Sequence, residues 1–268
     1  MRRLLPVLLA CAVLPLAAGC GAEKSVKNAV DPVAQAATKT ANAGTVQISM
    51  NGKISAAGQE VPLNAEGAFD LKGKRGHLEV TTSIPGQGDV KIDELLDGLV
   101  LYMKSDALTK NLPGGKHWIK LDLKALGKKQ GIDLGALQQL GGGSDPTQFL
   151  TYLKQAGNVE KVGSEDINGT PTTHYRATID LDKLADSAGD AAASVRQLEQ
   201  LTGSKTLPTD IWIDGQGRAR RQAISYTAQQ PVPTKAQFTI DYEKFGVPVD
   251  VQTPDSGDTV DLADVIGG

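Results

Sequence analysis

The residues able to do chemistry are few and poorly grouped. Two cysteines occur among 268 residues. Cys11 lies inside the apolar run Leu4 to Leu16, and Cys20 follows that run after Ala17-Ala18-Gly19. The three histidines, His77, His117 and His174, stand far apart, and no two share the four-residue spacing of a helical metal pair. A zinc site needs three or four such ligands, so no metal centre is expected. No G-x-S-x-G, S-x-x-K or Walker loop is present. "DGQGRARR" lacks the alternating acids and closing Glu of a calcium loop. Asp89, Asp93, Glu94, Asp97, Asp180 and Asp182 belong to a set of 31 acids, and nothing marks two of them as an acid/base pair. Arg218, Arg220 and Arg221 read as the polar face of a hairpin, with an anionic head group as the sharper alternative. Trp118 and Trp212 read as core or rim packing. The pattern favours binding over turnover. No enzyme activity, catalytic residue or cofactor is expected.

Cys20 is the exception, because of where it stands. Met1-Arg2-Arg3 gives a positive start, Leu4 to Leu16 an apolar stretch, and Ala17-Ala18-Gly19 a run of small residues. That order predicts a secretory signal peptide over 1–19, too short for a membrane-spanning helix of roughly 20 apolar residues. "LAAGC" resembles the lipobox of bacterial lipoproteins, with Leu16 one position further upstream than the common pattern. In that family the cysteine is diacylated through its sulfur, and cleavage just before it makes it the new N-terminus. Once the leader and Cys11 are gone, Cys20 is the sole thiol of an exported protein, where a free thiol is a liability that acylation removes. Two acyl chains, at about 0.8 kcal/mol per buried methylene, hold a protein stably on a membrane.

Taking 19 residues from 268 leaves 249, a length that one all-β or α+β domain commonly reaches. Losing Arg2 and Arg3 takes the formal charge from −3 to −5, which argues against nucleic acid as a partner. With no disulfide open to the mature chain, stability must come from the core. High Ala and Gly with few aromatics suggest a GC-rich genome and, with the lipobox, an actinobacterium.

Residues 20–30 read as a lipidated tether of at most about 35 Å, and 31–268 as one domain. "DPVAQAATKTANAG" predicts a helix with Asp31 as cap, Pro32 in the first turn, and Asn42 and Gly44 at its end. The period then changes to two. "TVQISM", "VPLNAEGAFDL", "RGHLEVTTSI", "KIDELLDGLVLYMKS" and "KHWIKLDL" alternate between Gly-rich turns, the pattern of antiparallel hairpins. Two helices are expected next, "DLGALQQLGGG" and "SDPTQFLTYLKQAG". Strands resume around Asn168-Gly169, a strong hairpin signal. "DAAASVRQLEQLTG" predicts a helix with Val195, Leu198 and Leu201 inward, and "TLPTDIWI" and "RARRQAISYTA" a second hairpin across "DGQG". "TKAQFTIDYEKFG" is a further strand, and the Pro-broken tail holds one edge strand or a final helical turn. The fold class is α+β: one long, curved antiparallel sheet of about 10–11 strands, covered on one face by helices.

These pieces together resemble the actinobacterial LppX/LprF/LprG lipoproteins, relatives in fold of the lipoprotein carrier LolA. The marks are the lipobox at Cys20, "GTVQISMNG", "GTPTTHYRATIDLDKL", "LPTDIWIDGQGRARR" and "DYEKFGVPVDVQTP". The resemblance spans about residues 30–262. It implies a strongly curved sheet, an unclosed barrel with helices over its concave face, and a cavity between sheet and helices that takes the acyl chains of a lipid or lipoglycan. It also implies a monomer held on the extracytoplasmic face of the cell membrane through acylated Cys20, with an envelope transporter as a candidate partner. The wall expected from the alternating runs is Val46, Ile48, Met50, Phe69, Leu78, Val80, Leu101, Met103, Phe238 and Ile240, with Phe149, Leu153, Leu198 and Leu201 from covering helices. The alternative is a structural or sensory envelope lipoprotein with a packed core and a protein partner.

Overall fold

The computed structural model describes residues 24–84, 88–110, 112–122, 125, 157–187, 192–229 and 233–262. The expected helices over 133–143 and 144–157, and with them Phe149 and Leu153, lie outside the described residues except for Gly157, as do residues 1–19 and Cys20.

The first helix, α1, runs Lys24–Asn42. It buries Val33, Ala36, Ala37 and Thr40, the i, i+3, i+4 and i+7 stripe of an amphipathic helix. It begins earlier than a cap at Asp31 would have it, so Pro32 lies inside the helix. The helix ends at Gly44, whose φ of +83° lies in the left-handed region that glycine adopts without strain. The Ala219 backbone N–H donates to the Thr40 hydroxyl at 2.9 Å, which pins the last turn of α1 onto the sheet.

The chain then forms β1 (Thr45–Ala56), β2 (Gln59–Asp70), β3 (Arg75–Ile84), β4 (Gly88–Asp97) and β5 (Val100–Lys104) as successive hairpins. A four-residue helix, α2 (Asp106–Thr109), leads to β6 (Trp118–Asp122). After it come β7 (Gly157–Ile167), β8 (Thr170–Asp180), α3 (Leu181–Ser187) and α4 (Ala192–Thr202). The chain closes with β9 (Thr206–Asp214), β10 (Ala219–Ala228), β11 (Thr234–Phe245) and β12 (Thr259–Asp261). Asn168-Gly169 turns β7 into β8 with φ of +51° and +80°, the primed turn that matches strand twist.

The order across the sheet is β12-β6-β5-β4-β3-β2-β1-β11-β10-β9-β8-β7. β1 and β11 pair in the middle, so the two hairpin series meet along one seam. The edges β12 and β7 do not meet, and the sheet is unclosed. Laid flat, such a ribbon would be about 50 Å wide. Instead, residues from β4 round to β7 share one core with α1, α3 and α4, as a sheet curled around its helices allows.

Three details differ from the sequence expectation. The described residues form twelve strands rather than 10–11, because Asp97 and Gly98 break one long run into β4 and β5, and the tail supplies β12. The sheet is not wholly antiparallel, since β12 pairs parallel with β6. And α3 was not expected. Leu181, Leu184 and Ala185 are buried, and the Lys183 backbone N–H donates to the Asp180 carboxylate at 3.1 Å, an N-terminal cap.

Candidate functional site

Strand register places the wall residues. Val46 faces Phe69, Met50 faces Ala65 on β2 and Ile240 on β11, and Gly52 faces Phe238. Across β3, Ala65 faces Val80 and Gly67 faces Leu78. Further out, Glu94 faces Met103 and Leu96 faces Leu101. Residues paired across antiparallel strands share a face. Val46, Ile48, Met50, Phe69, Leu78, Val80, Leu101, Met103, Phe238 and Ile240 therefore stand on one side of the sheet. Ser49, Glu66 and Glu79 form the matching polar row on the other side.

This inner face has two zones. Val46, Ile48, Phe69 and Val80 are buried, at 0%, 5%, 5% and 6% exposure. Met50, Leu78, Leu101, Met103, Phe238 and Ile240 are only half-buried. The described helices pack elsewhere: α1 on β7, β9 and β10, α3 on β8, and α4 on β10. The half-buried zone over β2–β5 and β11 lies to the side of these closest helix contacts, with Leu78, Leu101 and Ile240 at its border packing against the core shared with α1, α3 and α4. On α4, Val195 is buried and Leu198 packs against the core. Leu201, expected inward, is 40% exposed, and Thr202 takes the buried place in the last turn. The reason is the 3.6 period: Thr202 lies two turns, seven residues, from Val195 and so returns to the stripe, whereas a second three-residue step from Leu198 carries Leu201 off its edge.

Two features of this face escaped the sequence reading. A Cβ at Gly52 would meet the Phe238 ring at 2.7 Å, and one at Gly76 would meet the Phe69 ring at 2.4 Å. Each aromatic lies across the glycine opposite it, so the ring rests on the sheet. Such a pairing appears only once register is known. The second feature is Glu94, a carboxyl on the apolar face. Burial raises its pKa above the ordinary carboxylate value.

The remaining candidates are tied down on the outer face or at the sheet ends. Asp214 anchors the β9–β10 hairpin. It accepts from the Gln216 and Arg218 backbone N–H groups, both at 2.9 Å, and from Arg220 Nε at 2.8 Å and Arg218 Nη2 at 3.2 Å. Burial pushes its carboxyl up, but the Arg218 N–H, the Arg220 hydrogen bond and both guanidinium charges outweigh burial and hold it below the ordinary range. Both guanidiniums also lie over the Phe245 ring, at 4.4 and 5.1 Å. Arg221 pairs with Asp241 at 2.5 and 2.6 Å. The arginine cluster is therefore consumed by the hairpin and its neighbour.

His174 stacks on Trp212 at 4.2 Å between centroids, with Asp210 at 2.7 Å and Glu165 at 3.3 Å from its ring nitrogens. Trp212 Nε1 donates to Glu165. His77 lies 3.9 Å from Asp93, and His117 lies 2.6 Å from Asp258. Among the described residues, no group of three His, Cys, Asp or Glu could hold a metal. No described helix is long and apolar enough to cross a membrane.

No family model matches the chain. An uncharacterized 31.2 kDa protein of Streptomyces griseus is 30% identical over 186 residues, which is 68% of this chain and 59% of that protein. A Streptomyces coelicolor protein named as a lipoprotein is 28% identical over 156 residues, 57% of this chain and 45% of that protein. The chain thus spans about half the length of the curated relatives it matches. Among solved structures, LprF from Mycobacterium bovis aligns with a TM-score of 0.48 and 15% identity, covering 86% of this chain and 98% of that one. The Mycobacterium tuberculosis lipoprotein LppX aligns with the same score and identity, covering 84% and 99%. The chain is similar to lipoproteins of the LppX/LprF type.

Proposed function

We propose that this chain is a membrane-tethered lipoprotein whose inner sheet face takes up the acyl chains of a lipid or lipoglycan and carries them within the cell envelope. Cys20 is its acylated anchor, on the extracytoplasmic face, and no catalytic step is involved. The observation that supports this reading is the half-buried apolar zone over β2–β5 and β11, registered residue by residue on one face. An alkyl chain needs only apolar walls and room, at about 25 cal/mol per Å² removed from water. The name lipoprotein on relatives agrees with it.

A second reading is favoured by one observation. Four of the wall residues, Val46, Ile48, Phe69 and Val80, are buried, as in a packed core. A structural or sensory lipoprotein that binds a protein partner would have such a core throughout.

Solvent extraction of the purified chain followed by mass spectrometry separates the two. A stoichiometric co-purifying amphiphile is the expected result. A blank extract, with no uptake of a fluorescent fatty acid, would leave only the packed-core reading. A Cys20→Ala chain should lose its acyl mass and move from the membrane to the soluble fraction.

A further inference from the structure

Glu94 is out of keeping with its place. On β4 its inner-face neighbours are Ile92 and Leu96, and its cross-strand partners are Leu78 on β3 and Met103 on β5. None of these carries a charge. The charged side chains of the same strands, His77 and Glu79 on β3, Asp93 on β4 and Lys104 on β5, leave from the opposite face. Among the described residues, no ion pair or hydrogen bond reaches the Glu94 carboxyl. A partly buried, unpartnered carboxyl costs stability that an apolar side chain would not. Among the described residues, no contact on this face uses it.

A ligand could use it. Set among the acyl-chain walls, the carboxyl is the polar group a lipid would meet. Ionised, it accepts a hydrogen bond from a hydroxyl. Protonated, it also donates one to a hydroxyl or ester oxygen. An uncharged, hydroxyl-bearing head suits both states. A carboxylate or phosphate beside it meets a like charge or forces Glu94 to hold a proton.

We propose that Glu94 is a specificity-determining residue of the inner face, selecting amphiphiles with an uncharged hydroxyl-bearing head over anionic ones. This rests on the inner face being an acyl-chain site.

Dodecanol and laurate test it, since they share a chain length and differ in the head. Equilibrium uptake of each by the full-length chain is compared at mildly alkaline pH for wild type, Glu94→Gln and Glu94→Leu. Any apolar site prefers the alcohol, so the readout is the change in the ratio of the two affinities. In Glu94→Gln, which keeps hydrogen bonding without charge, the ratio should shrink by about tenfold through tighter laurate binding. In Glu94→Leu, dodecanol should also weaken by roughly fivefold as its polar contact is lost. Uptake of both ligands with the same ratio in all three chains overturns the assignment of Glu94 and leaves the acyl-chain site standing. Uptake of neither ligand by any of the three overturns both.

Discussion

A carboxyl on an apolar face leaves a thermodynamic mark that does not depend on any ligand. Burial raises the Glu94 pKa above its ordinary value, so the folded chain holds a proton that the unfolded chain has released. Stability from this group is full below the ordinary carboxylate pKa, and is lost as pH rises from there through the raised value. Glu94→Gln should therefore melt close to wild type in acid and above it at neutral pH, by about 1 kcal/mol, half-buried groups being partly screened. Thermal melts across pH read this directly, and parallel curves for the two chains would refute it. Gly52 makes a complementary test. Its missing Cβ leaves room for the Phe238 ring, which an added methyl would meet at 2.7 Å. Gly52→Ala should cost about 1–3 kcal/mol by overpacking. Pairing it with Phe238→Leu should recover part of that loss, a coupling measurable by a double-mutant cycle.

At the scale of elements, the β9–β10 hairpin is held by one buried acid. Asp214 satisfies two backbone N–H groups and two guanidiniums at once. Asp214→Asn removes the charge and strands Arg218 and Arg220 over Phe245, and should cost about 3 kcal/mol. The wild-type carboxyl titrates below its ordinary range. Its stabilisation is present above the ordinary carboxylate pKa and is lost as pH falls through the lowered value. Asp214→Asn should therefore flatten the acid limb of the stability curve, and an unchanged limb in urea titrations would contradict the assignment. "DGQG" was legible as a turn, but the acid's anchoring role was not, because Arg220 meets it next to the bulge between Ala219 and Arg221, which strand alternation alone does not show. The hairpins were readable because Asn-Gly, Asp-Gly and period-two alternation are local signals. α3 was readable in retrospect from Asp180 and the Leu181, Leu184, Ala185 spacing, but its shortness hid it between a strand and a loop. Strand facing was legible for Val46 through Ile240. Leu201 was misplaced because a three-residue step was taken where the stripe steps by four.

The whole molecule is organised around the seam of β1 with β11 and the helix laid beside it. A sheet of twelve strands has few ways to bury one face, and here α1, α3 and α4 lie closest to the β7–β10 side while the β2–β5 side curls toward the same core. Curling the ribbon brings Leu96 of β4 and Val159 of β7 into one core that includes Val33, Ala36 and Ala37. None of that follows from local sequence, since it depends on which distant strands pair. It does have a cooperative consequence. Ala36 is fully buried, at 0% exposure, so Ala36→Leu pushes α1 away from several strands at once. The expected loss is about 1–3 kcal/mol, with amide exchange rising together in β1, β4, β8 and β9 because they share that core. Val260 on the parallel edge strand β12 is nearly as buried, at 7%, but touches the sheet only through β6. Val260→Ala should cost about 1 kcal/mol and raise exchange in β12 and β6 alone, as local opening at an edge does. If exchange instead rose in the β7–β10 half alone after Ala36→Leu, the sheet would be two weakly coupled halves rather than one curled body, and α1 would be only a lid on the second.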